Sequence, residues 1–162
     1  MKALSIILTV LLIIALAFTG YLYVTCRVEV VSVSVSSAEA SAQEDLFSHI
    51  QDEFRLNAVA GVPFTEQIGS SSADYKFCTY QVYLRNTCFL PASTLEISIS
   101  PMQGDILQLP EKSQKLLPSR SEGVLECTLL TGMDQHTVRE LIITYYMWGI
   151  PFSIRTVANQ AS

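Results

Sequence analysis

The sequence predicts a mainly β protein, an antiparallel β-sandwich with one inserted α-helix, preceded by a single apolar N-terminal helix. Three observations predict this fold class. Residues 3–26 contain no charged side chain, residues 28–35 alternate apolar and polar residues, and five similar segments follow residue 75 without helices between them. Alternation with a period of two is typical of a half-buried strand, and a series of such strands builds a sandwich.

The composition excludes several classes of protein. Of the 162 residues 49% are hydrophobic and 15% charged, which is the reverse of the balance in disordered chains. The net charge of −5 opposes binding to nucleic acid, because phosphates require clustered Lys and Arg. A membrane-tethered globular domain remains.

The uncharged N-terminal segment predicts a membrane anchor. As a helix, residues 3–26 extend about 36 Å, which exceeds the ~30 Å hydrocarbon core of a bilayer. We therefore expect residues 1–27 to form a transmembrane signal anchor, with the lipid bilayer as the partner of residues 3–26. Residues 28–162 then form the single folded domain.

Two further questions about this segment are whether it is cleaved and how it is oriented in the membrane. Ala15 and Ala17 resemble a signal-peptide cleavage site, but no polar region precedes them and the apolar run continues beyond them. Cys26 follows Thr25, which is larger than the residue usual in a lipoprotein signal. The two sides of the segment carry equal numbers of Lys and Arg, so these residues do not set its orientation. The Ser/Thr/Tyr-rich composition of the following domain decides the orientation instead. We expect a single-pass cell-membrane protein with its C-terminal domain extracytoplasmic.

Residues 42–56 are predicted to form the inserted helix, with Ser41 and Glu44 as a capping box. A loop over residues 57–74 follows. The apolar helix residues fall on one face: Leu46, Phe47, Ile50 and Phe54. The opposite face is predicted to be available to a partner and carries Asp45, His49, Asp52 and Glu53.

The later strands are predicted to bury alternate residues, among them Cys78, Tyr80, Val82, Leu84, Leu125, Cys127, Leu129, Leu141, Ile143 and Tyr145. Buried cysteine behaves as a small apolar residue. We therefore expect free thiols at Cys78 and Cys127, although these two could form a disulfide if their strands pair. Cys88 falls in a turn and is left unpaired by this interpretation.

The segment YQVYLRNTCFLPA, residues 80–92, resembles the V-x-V-x-N-x-G-x-x-P-A strand and turn of bacterial Ig-like domains of the CARDB and FxLYD type. Residues 117–123 resemble the L-P-x-G start of a later strand in the same domains. This resemblance covers about residues 75–158 and implies an Ig-like sandwich in an extracytoplasmic setting. It carries over no functional residue.

The sequence offers few candidates for catalysis. Asp45, His49 and Glu53 could present metal ligands on one helical face, and only His49 and His136 could serve as a base for a nucleophile. The sequence has no G-x-S-x-G motif and no phosphate-binding glycine loop. We expect no enzyme activity, no cofactor and no metal; a metal-dependent or hydrolytic enzyme centred on His49 is the alternative.

The function predicted is that of a non-catalytic, membrane-anchored module that binds or assembles with another envelope component. An alternative is an accessory subunit of a membrane complex, since Ala15, Ala17 and Gly20 could allow close approach of a second helix. The sequence specifies neither the ligand nor the oligomeric state.

The order of the strands also predicts which end of the domain faces the bilayer. In an Ig-like sandwich the first strand begins at the end that carries the turns at residues 86–92 and 148–151. Both turns are unusually apolar at their tips. We expect Phe89, Leu90, Trp148 and Ile150 to contact lipid headgroups or the top of the anchor helix. The alternative is that they fold inward and close the core.

Overall fold

The computed structural model of the chain describes residues 2–110 and 116–158, without the side chains of residues 2, 3, 5 and 22–24. The predicted domains 1–27 and 28–162 also include residue 1, residues 111–115 and residues 159–162, which lie outside the described residues.

An apolar helix, α1, begins the fold and is followed by nine strands and a second helix, α2. The helices are α1 (Lys2–Thr25) and α2 (Glu44–Arg55). The strands are β1 (Val28–Glu39), β2 (Val62–Pro63), β3 (Tyr75–Asn86), β4 (Ala92–Ile99), β5 (Asp105–Gln108), β6 (Leu116–Leu117), β7 (Glu122–Gly132), β8 (Arg139–Met147) and β9 (Ile150–Ala158).

The strands form two antiparallel sheets. Sheet A has the order β1-β3-β7-β5-β2, and sheet B has the order β6-β4-β8-β9. The main core lies between them and consists of the alternate residues that the sequence pattern predicts, including Tyr80, Leu125 and Ile143. The predicted β-sandwich with an inserted helix is confirmed.

Helix α2 covers the outer face of sheet A at one end. Phe47, Ile50 and Phe54 pack in a second apolar cluster with Phe77 of β3 and with residues of β5 and β7. Phe77 precedes the buried Cys78 in a strand, so its side chain points to the opposite face of the sheet. Leu46, which was predicted on this apolar face, is instead exposed.

The predicted start of the inserted helix is wrong. Residues 40–43 form a 3-10 turn, and α2 begins only at Glu44, with no side-chain cap at Gln43. Ser41 lies inside the 3-10 turn, where its hydroxyl donates a hydrogen bond to Glu39 Oε2 at 3.1 Å. The capping box therefore does not form. The predicted loop 57–74 also contains the two-residue strand β2 and a 3-10 turn at Ser72–Asp74.

A buried ion pair joins the two sheets at the end that carries α2. Arg139 of β8 donates from Nη2 to Asp105 Oδ1 at 2.7 Å and from Nε to Asp105 Oδ2 at 2.9 Å. The Thr131 hydroxyl and the Met102 amide donate to the same carboxylate, each at 2.8 Å. The side chains are 1% and 0% exposed. The pair is thus bidentate, and its carboxylate has further donors.

Candidate functional site

One end of the sandwich, here called the basal end, is where α1 joins β1. It comprises residues 26–28, the turn 87–91 after β3, and the turn 148–149 between β8 and β9 with its flanking residues Met147 and Ile150. The register of β1 and β3 pairs Val28 with Asn86, which brings the first turn beside the end of α1. The basal end therefore carries all four of the predicted contact residues.

Hydrogen bonds fasten the start of β1 to this end. The Arg27 carbonyl accepts from the Thr87 amide at 3.1 Å and from the Thr87 hydroxyl at 2.8 Å. The Val28 amide donates to the Tyr145 hydroxyl oxygen at 3.3 Å. Burial raises the pKa of Tyr145, opposed by this amide and by the charge of Arg27. Only Cys26 and Arg27 separate α1 from β1, so the helix continues into the sandwich without a flexible linker.

A disulfide between Cys26 and Cys88 makes a second covalent connection at the basal end. The prediction that Cys88 is unpaired is therefore wrong, whereas Cys78 and Cys127 are free and buried as predicted. The register explains the pairing: Cys26 lies two residues before Val28, and Cys88 lies two residues after its partner Asn86. This equal offset was the signal that the sequence interpretation missed.

The turn after β3 is held by a buried asparagine. Asn86 Nδ2 donates to the Leu90 carbonyl at 2.7 Å and to the Pro118 carbonyl at 3.0 Å, and Oδ1 accepts from the Cys88 amide at 2.9 Å. These bonds fix the turn from inside. Phe89 then lies at the tip, where it is 46% exposed.

The hairpin between β8 and β9 ends in a two-residue turn. Trp148 has a φ of 53° and Gly149 a φ of 75°, and Met147 pairs with Ile150 across the turn. Positive φ at both central residues is the pattern of a type I′ turn, which favours Asn-Gly. Trp148 is a bulky residue in this left-handed conformation, and it is 63% exposed.

The hairpin, the first turn and α1 enclose a small apolar pocket of about 60 Å³. Three of the predicted contact residues, Leu90, Trp148 and Ile150, line it. Phe89 is not among the lining residues. The other lining residues are Thr19, Cys26, Met147 and Phe152. The structure thus places three predicted residues beside α1, and does not fold all four into the core.

The predicted partner-facing residues of α2 lie at the opposite end, here called the distal end. Asp45, His49 and Asp52 are exposed, and Glu53 is half-buried. His49 Nε2 lies 3.3 Å from Glu53 Oε1, while Glu53 Oε2 accepts from the Ala60 amide. Within residues 2–110 and 116–158, no three His, Cys, Asp or Glu side chains are grouped closely enough to hold a metal ion.

The structure was also searched for the predicted membrane-spanning helix. Among the side chains that the structure describes, which in α1 are those of residue 4, residues 6–21 and residue 25, we find no helix long and apolar enough to cross a membrane. The span predicted for residues 3–26 stays a prediction.

Comparison with known proteins identifies no family for this chain. No family model matches the chain, and no curated protein matches it. The structure is similar to the crystal structure of a yeast GGA1 GAE domain, with a TM-score of 0.40 and 10% sequence identity. The similarity covers 55% of this chain and 93% of that domain. The proposals below rest on the residues of this chain.

Proposed function

We propose that this chain is a non-catalytic, membrane-anchored module that displays a β-sandwich outside the cytoplasm and binds another envelope component through its distal end. The observation that carries the proposal is the direct connection of an apolar helix to one end of a rigid domain. Helix α1 has 24 residues, and its described leucine, isoleucine and valine side chains are all exposed. The uncharged run of residues 3–26 in the sequence has the length that a bilayer core requires.

The disulfide supports the extracytoplasmic orientation. Disulfides persist in oxidising compartments and are rare in the cytosol. Cys26 and Cys88 belong to the domain's basal end, so the compartment that contains this end must allow their oxidation. The N-terminus is then cytoplasmic, which agrees with Lys2 on that side.

The environment of the histidines and thiols supports the absence of catalysis. In the described part of the chain, the side chain of His49 bonds only to Glu53, and neither His49 nor His136 contacts a serine or cysteine. Burial raises the pKa of the Cys78 thiol, so the thiolate needed for a nucleophile is disfavoured.

The proposal assigns different roles to the two ends of the sandwich. Phe89, Leu90, Trp148 and Ile150 contact lipid headgroups or the top of α1, because the basal end meets the membrane surface. The distal end, with Asp45, His49, Asp52 and Glu53 of α2, faces away from the bilayer and is available to a protein partner.

Anchoring and orientation are tested with single cysteines introduced for labelling. In sealed cells, Asp134→Cys in the exposed loop after β7 should react with a membrane-impermeant maleimide, whereas Lys2→Cys should react only after permeabilisation. The native cysteines give little background because two are bonded and two are buried. Release of the full chain by alkaline extraction, or labelling in the reverse pattern, would contradict the proposal.

The partner-binding role is tested by photo-crosslinking in intact cells. A photoreactive residue at Asp52 should give a discrete adduct with another protein. The matched control is the same residue at Ser153, which is exposed on β9 away from α2. Equal adducts from both positions, or none from Asp52, would count against a binding surface on α2.

A further inference from the structure

We propose that the pocket between α1 and the β8–β9 hairpin binds an acyl chain of a membrane phospholipid, with the tip of the hairpin inserted into the bilayer beside the helix. This inference rests on the proposed anchoring by α1. It goes further than contact with headgroups, because it places Trp148 and Ile150 within the hydrocarbon region and assigns a ligand to the pocket.

The depth follows from the position of Thr19. Thr19 lines the pocket together with Trp148, and it lies seven residues before Cys26. At 1.5 Å per residue this is about 10 Å along the helix from the disulfide. The hairpin therefore extends back along α1, past the point at which the chain leaves the helix. If α1 spans the bilayer, the hairpin tip is submerged with it.

The lining explains why the occupant is apolar. The Thr19 hydroxyl donates to the Ala15 carbonyl at 2.8 Å, so its donor is already used within α1. Cys26 is oxidised, and Leu90, Met147, Ile150 and Phe152 present apolar side chains. Water in such a pocket would lack the two to four polar partners that it needs.

The size of the pocket selects a slender ligand. The volume of about 60 Å³ is small, so a single slender chain suits the pocket better than a bulky headgroup or a fused ring system, and such a chain can continue into the surrounding lipid. Continuity with the apolar surface of α1 favours lipid over a soluble protein partner.

The turn supports the same assignment. Trp148 is held in a left-handed conformation that is unfavourable for a residue with a large side chain. Most of the side chain stays outside the domain, since it is 63% exposed. Burial of the indole in lipid would compensate this cost.

Trp148 is the only tryptophan of the chain, so its fluorescence tests the depth directly. In phosphatidylcholine vesicles that contain the full chain, we expect blue-shifted emission and stronger quenching by lipids brominated in the middle of the acyl chain than by headgroup-labelled lipids. The matched control carries Trp148→Phe with Tyr146→Trp, which moves the reporter up β8. Its emission should be quenched more weakly by the acyl-chain label.

Occupation of the pocket is tested with a phospholipid that carries a diazirine in its acyl chain. Photolysis should label the segment 147–152, and Thr19→Phe, which fills the pocket, should reduce this labelling. Thr9→Phe, the same change elsewhere in α1, should leave it unchanged. Flotation of the vesicles with bound chain separates the outcomes: lost flotation overturns the anchor and the lipid site together. Retained flotation with unquenched Trp148, or with labelling unaffected by Thr19→Phe, overturns the lipid site alone.

Discussion

Asp105 and Arg139 show how a single buried contact can hold the two layers of the sandwich together. Because both charges are removed from water, each depends on the other for compensation. The contact lies at the distal end, remote from the basal pocket, so its contribution to stability can be measured without disturbing the proposed lipid site.

We expect Asp105→Asn to lower the free energy of unfolding by about 3–5 kcal/mol, because it leaves the buried Arg139 guanidinium without a counter-charge. The matched control is Glu122→Gln, which removes the exposed ion pair with Arg85 and should cost less than about 1 kcal/mol. Urea unfolding of the full chain in detergent measures both. Equal losses for the two variants would show that the buried pair contributes no more than a surface pair.

At the residue scale, the apolar core residues could be predicted from the sequence, but the buried ion pair of Asp105 and Arg139 could not. Alternation predicts that Tyr80 and Leu125 are buried, because a strand with one face toward solvent alternates apolar and polar residues. Alternation also puts Arg139 in phase with the buried Leu141 and Ile143, but its charge argues for the surface, since a charged residue is rarely buried without a partner. Its partner Asp105 comes from a distant strand, and only the tertiary fold brings the two together.

At the scale of elements, the β8–β9 hairpin offers the sharpest conflict between folding and function. A type I′ turn accommodates asparagine at the position of Trp148, because asparagine tolerates a positive φ. A sequence selected for folding alone would not place a tryptophan there.

We therefore expect Trp148→Asn to raise the free energy of unfolding by about 1 kcal/mol in detergent and to reduce photolabelling of the hairpin by lipid. Tyr146→Asn, the same residue placed in the adjoining strand, should not stabilise, because asparagine is disfavoured in strands. The measurements are urea unfolding and diazirine labelling. A Trp148→Asn variant that is less stable, with unchanged labelling, would refute the trade-off.

The elements differ in how far the sequence predicts their limits. The long strands are predicted in position, because each alternates apolar and polar residues, but β1 continues to Glu39, beyond the predicted residues 28–35. The start of α2 is not predicted correctly, because the Ser41 and Glu44 motif is short and residues 40–43 form a 3-10 turn instead of the first helical turn. Strand β2 has two residues and therefore no period to detect.

At the scale of the whole molecule, strand order was enough to predict that the two apolar turns share an end with the start of β1. Strand β1 pairs antiparallel with β3 and Val28 lies opposite Asn86, so the location of residues 86–92 follows from the strand pairing without side-chain detail. Prediction of the disulfide did require such detail, because two cysteines separated by 62 positions form a bond only if the strand register is exact to the residue. The pocket depends in turn on how α1 lies against the hairpin.

The connection between α1 and the domain is short. Cys26 is the first residue after α1, and its disulfide to Cys88 holds it against the sandwich, so the joint between helix and domain is the single step from Thr25 to Cys26. A domain that follows α1 across this joint tilts with the helix. Strand β1 has 12 residues, which places α2 about 40 Å from the joint. A change in helix tilt of about 10°, well within the range of transmembrane helices, would then sweep α2 sideways by about 7 Å. If α1 spans a bilayer as proposed, a modest change in bilayer thickness would thus displace α2 and the partner-binding surface proposed on it.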